Sequence, residues 1–205
     1  MKPPYWERAK RDLGRSDEVM RAIMRRYPRV HLVSRGDPFR TLVRSIVGQQ
    51  ISVRAAQAVW ERFSSVLNEI TPSAAIEAGP QRLLACGLSR RKVEYVLDLA
   101  EHFADGRVTA QHWDAMDDEQ IIAELVDVRG IGRWTAEMLL IFSLLRPDVL
   151  PVDDLGLQRA VSLSYRNGRG VSESALRRIS KAWQPWRSVA TWYLWRSLDP
   201  VPVEY

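Results

Sequence analysis

A chain of 205 residues with 46% hydrophobic residues is long enough to bury a substantial core, and no stretch approaches the ~20 apolar residues that cross a bilayer, so we expect a folded, non-membrane protein. The 30 Lys and Arg residues outnumber the 25 Asp and Glu residues, and a pI near 9.6 suits a polyanionic partner, although an evenly spread charge of +5 serves solubility alone. A lone cysteine, Cys86, excludes a disulfide framework and an all-cysteine metal cluster, and three histidines without an HExxH spacing predict no metal site.

The predicted elements are all helices, marked by capping residues and breakers rather than by strand-like alternation. In chain order, the predicted helices run from Ser16-Asp17 to about Tyr27, from Asp37-Pro38, from Ser52 to about Leu67, from Thr71-Pro72, from Ser89, from Asp117, from Gly132 to Pro147, from Asp153-Asp154, from Ser172 to about Trp183, and from Pro185 to about Leu198. The stripe predicted to be buried in the Ser52 helix is Ala55, Ala56, Val59, Trp60 and Phe63. Because no repeat, low-complexity tract or long linker separates the helices, we expect one all-α domain over residues 1–205.

The most informative segment is a glycine turn between two predicted helices. Gly130 and Gly132 permit backbone torsions that side chains would obstruct. A dinucleotide fingerprint would require a third glycine where Thr135 stands, and no GK[ST] sequence marks a P-loop. The turn is therefore either an ordinary helix–helix connection or a site where backbone amides and a helix N-terminus meet a phosphate.

Together with a second segment, this turn carries a resemblance to a known family. Residues 130–136 (GIGRWTA), followed by residues 150–157 (LPVDDLGL), resemble the helix-hairpin-helix and Gly/Pro/Asp signature of DNA glycosylases, and residues 46–52 (IVGQQIS) and 87–92 (GLSRRK) are also similar to that superfamily. The likeness extends over about residues 37–195. It implies the helix-hairpin-helix glycosylase fold, with compact helical lobes and a cleft between them, and a hairpin at about residues 118–146.

The resemblance also implies a branch of the superfamily. Members that cut the strand place a lysine two residues after the second hairpin glycine, where its amine forms a Schiff base, and Trp134 stands there in this chain. The sequence resembles the 3-methyladenine glycosylase II branch, which implies a base pocket at Trp134 and Trp195 with Met138 as a further wall. Indole faces favour the positively charged 3-methyladenine and 7-methylguanine, although each tryptophan could instead be a packing residue.

Two adjacent carboxylates compete for the catalytic role. Asp153 and Asp154 both stand at the start of a predicted helix, where one of them can serve as the N-cap. Alignment on Arg159, which the superfamily often carries five residues after its catalytic aspartate, selects Asp154 as the catalytic residue. This choice leaves Asp153 as the expected cap.

The remaining site residues are predicted DNA contacts. Gln50 or Ile51 is the wedge that the resemblance implies at the site of the extruded base, although Gln49 and Gln50 could simply tie a helix end. The hairpin residues Gly130, Gly132, Arg133 and Thr135 are predicted phosphate contacts. Three further cations, Arg90, Arg91 and Lys92, are plausible contacts that could also be merely solvated.

Three functional hypotheses follow. The first is a monofunctional glycosylase that acts without a cofactor, as a monomer, on alkylated bases in double-stranded DNA, in the cytoplasm or at a bacterial nucleoid. The second is a helix-hairpin-helix module that binds DNA without base chemistry. The third is a helical scaffold for protein partners, which predicts no salt-sensitive DNA affinity. Asp154 together with Trp134 and Trp195 favours the first hypothesis.

Overall fold

A computed structural model describes residues 2–198, so the predicted domain, 1–205, extends beyond the described part at both ends. The described residues contain helices and no strand, which confirms the predicted all-α class. The helices are α1 (Trp6–Ser16), α2 (Glu18–Arg26), α3 (Pro38–Gly48), α4 (Val53–Leu67), α5 (Pro72–Ala85), α6 (Arg90–Ala104), α7 (Asp118–Val126), α8 (Arg133–Phe142), α9 (Leu155–Tyr165), α10 (Glu173–Ile179) and α11 (Arg187–Leu198). Short 3₁₀ segments lie at Ala110–Ala115 and Ser180–Trp183.

Local capping chemistry fixes where most helices begin. Seven predicted starts are confirmed as N-caps whose side chains accept a backbone N–H of the first turn: Asp17, Asp37, Ser52, Thr71, Ser89, Asp117 and Ser172. These bonds satisfy donors that a helix cannot satisfy internally. At Asp117 the Gln120 side chain also accepts the N–H of the capping residue, which completes a capping box.

The chain folds as two compact units, which among the described residues are 2–34 with 140–198, and 35–139. The first unit packs around aromatic rings. Trp6, Trp183 and Tyr193 are fully buried in it, and the ring of Trp6 meets that of Trp192 edge-on at 5.2 Å. Asp17, the N-cap of α2, connects that helix to this core. Its carboxylate accepts from the Tyr165 hydroxyl at 2.8 Å and from the Trp183 indole at 3.0 Å.

The second unit contains α3 to α7 and the first turns of α8. The central helix α3 buries Phe39, Leu42 and Ile46. Helix α5 bends at Gly79, which has a φ of 68° and is followed by Pro80. Helices α5 and α6 lie against each other, and α6 also packs on α3, so α6 supports the segment that follows α3.

Several predicted features are wrong in detail. Ala55 is exposed rather than buried, so the apolar stripe of α4 begins only at Val59. Helix α8 ends at Phe142 before reaching Pro147, because Leu145 takes a φ of 55° and the Arg146 amide returns to the Leu140 carbonyl. The helix expected from Ser172 to Trp183 passes into a 3₁₀ segment at Ser180, and α1 was not predicted although Trp6, Ala9 and Leu13 share one buried face.

Candidate active-site and nucleic-acid-binding residues

The glycine turn joins α7 to α8, as predicted, and it packs against α6. Gly130 has a φ of 83°, and a Cβ at this position would lie 2.1 Å from the Tyr95 ring. The Asp98 carboxylate accepts the Arg129 amide at 2.8 Å, and the Gln49 side-chain amide donates to the Gly130 carbonyl at 2.9 Å. The conformation of this turn is therefore imposed by neighbouring helices rather than by its own sequence alone.

Gly132 differs from Gly130 in what surrounds it. Its φ lies outside the left-handed region, and a Cβ at this position would meet no described atom within 4 Å. The internal packing of the unit thus gives no reason for glycine here. Its carbonyl accepts the Ala136 amide, so Gly132 opens α8, whose N-terminal end carries a positive partial charge. Close approach of a phosphate would explain the missing side chain.

We expect the two glycines to separate stability from binding. Gly130→Ala should lower the free energy of unfolding by about 3 kcal/mol, since the new methyl group meets the Tyr95 ring in a left-handed conformation. Gly132→Ala should cost less than about 1 kcal/mol yet weaken duplex DNA binding about tenfold, because it obstructs a charge-assisted contact. Urea unfolding and a DNA titration of both variants check this, and unchanged DNA affinity in Gly132→Ala would remove the hairpin from the interface.

The predicted wedge lies on the turn that leaves α3. Gln50 is exposed with a φ of 57°, and Ile51 is 40% exposed despite being apolar. Within the described residues the Gln50 side chain makes no hydrogen bond, whereas its neighbour Gln49 binds the hairpin carbonyl. The Lys92 ammonium donates to the Val47 carbonyl at 2.8 Å and braces the same turn.

The predicted cationic and hydroxyl contacts are less available than the sequence suggested. The Arg133 guanidinium pairs with Glu119 and with the buried Glu137, and these hydrogen bonds raise the pKa of Arg133. Thr135 is 5% exposed, so only its backbone could meet a ligand. Lys92 braces the α3 turn, and burial lowers the pKa of its ammonium group.

The eight tryptophans differ in burial. Six of them are buried in the described structure: Trp6, Trp60, Trp113, Trp183, Trp186 and Trp192. Trp134 and Trp195, the two predicted to line a base pocket, are half-buried. Met138 is 5% exposed, one helical turn after Trp134 on α8. Accessible indole surface is what a stacking role requires.

Asp154 is the N-cap of α9, and the prediction that Asp153 fills this position is wrong. Its Oδ1 atom accepts the Leu157 amide at 2.6 Å, whereas Asp153 is exposed. The physical reason is the turn that precedes α9, in which the Asp154 amide bonds to the Pro151 carbonyl and the backbone of Asp154 is extended. The carboxylate proposed for catalysis is therefore also the carboxylate that the helix N-terminus holds.

A second donor fixes the same oxygen. The indole nitrogen of Trp195, on α11, donates to Asp154 Oδ1 at 2.7 Å, and the Trp195 ring is stacked on Phe142 at 5.7 Å with 14° between the planes. Gly156 makes room for this contact, because a Cβ there would lie 3.1 Å from Asp154 Oδ1 and 3.3 Å from Trp195 Cδ1. The carboxylate, the indole and the glycine form one interlocked cluster.

The loop before Asp154 is anchored by residues that sequence reasoning missed. The Arg187 guanidinium binds the Asp148 carboxylate in a bidentate pair at 2.7 and 2.9 Å. The buried Ser188 hydroxyl donates to the Arg146 carbonyl at 2.6 Å and accepts the Val149 amide at 2.9 Å. These partners are about 40 residues apart in the chain, so no local pattern indicates them. Gly156 did have a signal, since glycine is unfavourable inside a helix.

Within residues 2–198 no group of three or more His, Cys, Asp or Glu side chains is placed to hold a metal ion. Over the same residues, every helix is too short or too polar to span a lipid bilayer.

Comparison with known proteins gives consistent matches. The model of the HhH-GPD superfamily of base excision DNA repair proteins matches residues 43–185. DNA-3-methyladenine glycosylase 1 of Schizosaccharomyces pombe is 34% identical over 165 residues, which cover 78% of this chain and 72% of the relative.

Two solved structures resemble the fold closely. A DNA-3-methyladenine glycosidase from Bacillus halodurans has a TM-score of 0.78 and 38% identity, with 83% of this chain and 79% of that chain covered. A 3-methyladenine DNA glycosylase of Schizosaccharomyces pombe in complex with abasic DNA has a TM-score of 0.82 and 30% identity, with 97% of this chain and 99% of that chain covered.

Proposed function

We propose an activity for this chain from the premise that it belongs to the HhH-GPD superfamily of base excision DNA repair proteins. It is a DNA glycosylase that releases alkylated purines, 3-methyladenine and 7-methylguanine, from double-stranded DNA by hydrolysis of the N-glycosidic bond. It acts as a monomer and leaves an abasic site without cutting the strand. The observation that carries the proposal is the Asp154 carboxylate, which two N–H donors hold by one oxygen at the start of α9.

The proposed chemistry at the sugar belongs to Asp154. When the damaged nucleotide is turned out of the duplex, at a cost of a few kcal/mol, the bond between C1′ and the base nitrogen lengthens and positive charge develops on the sugar. An ionised carboxylate stabilises that charge. Water then adds to C1′ and loses a proton to Asp154 or to solvent, while the base takes the electron pair of the broken bond. A cationic alkylated base leaves as a neutral molecule and needs no general acid.

Trp195 has a positioning role in this proposal besides the predicted role as a pocket wall. Its N–H holds Oδ1 and thereby sets the orientation of the whole carboxylate. Its ring is fixed by the stack on Phe142, so the donor cannot easily turn away. A hydrogen bond to a charged acceptor is worth about 1.5–3 kcal/mol, which is enough to decide whether the carboxylate is preorganised.

Trp134 is the proposed stacking surface for the base. Trp134 is half-buried on the first turn of α8. Alkylation at N3 or N7 leaves a delocalised positive charge on the purine, and an indole face attracts such a cation by ~0.5–2 kcal/mol. The names of the similar glycosylases from Schizosaccharomyces pombe and Bacillus halodurans support this choice of base.

The absence of strand cleavage follows from the amines available. The chain contains four lysines, Lys2, Lys10, Lys92 and Lys181, and the position at which lyases carry theirs is Trp134. Lys92 is held at the Val47 carbonyl. Without a nucleophilic amine at the sugar no Schiff base forms, and water completes the reaction.

The activity is tested with methylated duplex DNA, measuring free 3-methyladenine and 7-methylguanine, with borohydride added in a parallel reaction. We expect both bases to be released and no protein to become covalently attached to DNA. A trapped covalent complex would contradict the monofunctional mechanism. DNA binding without release of either base would instead support a helix-hairpin-helix binding module.

A further inference from the structure

The positive charge of the chain is concentrated at its beginning. Residues 2–29 contain nine Lys and Arg against four Asp and Glu, a net charge of +5. The whole chain also has a formal net charge of +5, with 30 cationic and 25 anionic residues, so residues 30–205 contribute 21 of each sign and sum to zero. The high pI is therefore a property of residues 2–29, which include α1 and α2.

These two helices form an antiparallel pair. The Lys10 ammonium donates to the Pro28 carbonyl at 3.4 Å, and the Arg21 guanidinium donates to the Gly14 carbonyl at 3.3 Å. The apolar face of each helix is buried: Trp6, Ala9 and Leu13 on α1, and Met20, Ile23 and Met24 on α2. The arginines lie on the opposite, solvent side.

Five of these arginines have no acidic partner. We call them the basic face, and it consists of Arg11, Arg15, Arg25, Arg26 and Arg29, all of them exposed. Within residues 2–198 none of the five makes an ion pair, whereas the other cations of this region pair with carboxylates, as in Arg8 with Asp12 and Arg21 with Glu18. Arg26 only lies over the Tyr27 ring, at 5.9 Å. Unneutralised like charges side by side are unfavourable unless a polyanion compensates them.

We propose that the basic face binds the phosphate backbone of undamaged duplex DNA, as a surface separate from the base-removal residues. This inference rests on the proposed function only in that the protein binds DNA. Such contacts carry no sequence information, release counterions, and keep the enzyme on DNA while it searches for damage. The basic face is short of apolar groups, because none of the large hydrophobic side chains exposed in the described structure falls within residues 2–29. A membrane-binding helix would require an exposed apolar face.

The test uses the full chain, an undamaged 30-base-pair duplex and a range of salt concentrations. The triple variant Arg11→Gln, Arg25→Gln, Arg29→Gln should bind more weakly by about 10- to 100-fold near 0.1 M salt. The slope of log affinity against log salt should become shallower by about 0.9 for each phosphate that the protein no longer neutralises. The matched control is Arg40→Gln, Arg169→Gln, Arg178→Gln, which removes the same charge from exposed arginines elsewhere that, like those of the basic face, make no ion pair within residues 2–198. It should change affinity less than about twofold, because salt screens charges more than about 10 Å away.

Further measurements keep the outcome decisive. Thermal unfolding of both triple variants should match the wild type, since all six side chains are exposed and none makes an ion pair within the described residues. Base release from saturating methylated DNA should be the same in the Arg11/Arg25/Arg29 variant as in the wild type. If the wild type itself releases no base, the proposed function is rejected, whereas the binding of undamaged DNA by the basic face is still tested by the salt titration. Equal salt slopes in the two variants would overturn the basic face. So would wild-type binding to vesicles of anionic lipid that the triple variant loses while its DNA affinity stays unchanged.

Discussion

Asp154→Asn is expected to reduce base release by at least about 10³-fold while leaving affinity for lesion-containing duplex within a few fold of the wild type. The amide is neutral and cannot stabilise the cationic sugar. Asparagine is as good an N-cap as aspartate, and its side-chain oxygen can still accept from Leu157 and Trp195, so the start of α9 should be preserved. Single-turnover release of 3-methyladenine and a binding titration with the same duplex measure the two effects separately.

Asp153→Asn is the matched control, because it makes the same chemical change one residue earlier at an exposed side chain. It should keep nearly full activity. If Asp153→Asn lost activity and Asp154→Asn retained it, the assignment of the two carboxylates would be reversed. Comparable losses in both variants would indicate that the net charge of the loop, and not one oriented carboxylate, supports the reaction.

Trp195→Phe is expected to lower the rate of base release by about 10- to 100-fold with little change in affinity for abasic DNA. Phenylalanine can keep the stack on Phe142 but lacks the N–H that holds Asp154 Oδ1. The loss corresponds to one hydrogen bond to a charged group, about 1.5–3 kcal/mol, and each 1.4 kcal/mol is a factor of ten in rate. Pre-steady-state release and equilibrium binding distinguish a positioning role from a stacking role.

Gly156→Ala tests the contact between Asp154 and Trp195 in an independent way. Its methyl group would stand 3.1 Å from Asp154 Oδ1 and 3.3 Å from Trp195 Cδ1, so the indole and carboxylate must separate by a few tenths of an ångström. We expect a rate defect of the same sign, with an unfolding temperature close to that of the wild type. Wild-type rates in both Trp195→Phe and Gly156→Ala would show that Trp195 acts only as a wall.

The helical class and most helix starts could be predicted because their causes are local. A capping side chain such as Ser52 or Asp117 bonds to an amide three residues away, so the signal is contained in a few letters of sequence. Helix ends were less predictable. The loop that follows α8 is held by Ser188, which lies on α11 about 40 residues later and donates to the Arg146 carbonyl.

The candidate site shows the same division. The sequence indicated Asp154, Trp134, Trp195 and the glycine turn, because a family resemblance preserves residue types at fixed spacing. It could not show that Asp154 rather than Asp153 caps α9, since both are good caps and only the backbone of the preceding turn discriminates between them. The sequence also predicted Arg133 as a phosphate contact, but it could not show that the Arg133 guanidinium forms hydrogen bonds with Glu119 and Glu137.

Local chemistry in the sequence alone thus determined the all-helical class and the positions of seven N-caps, and the family resemblance of the sequence indicated the hairpin glycines and the residues of the proposed chemistry. Tertiary structure alone decided how these residues are used: Trp195 reaches Asp154 across 41 residues of chain, Gln49 reaches Gly130 across 81, and Tyr95 occupies the space that Gly130 leaves. The physical reason is range. Capping and turn preferences act between neighbours in sequence, whereas the orientation of a carboxylate depends on donors that only the packing of distant helices brings within 3 Å.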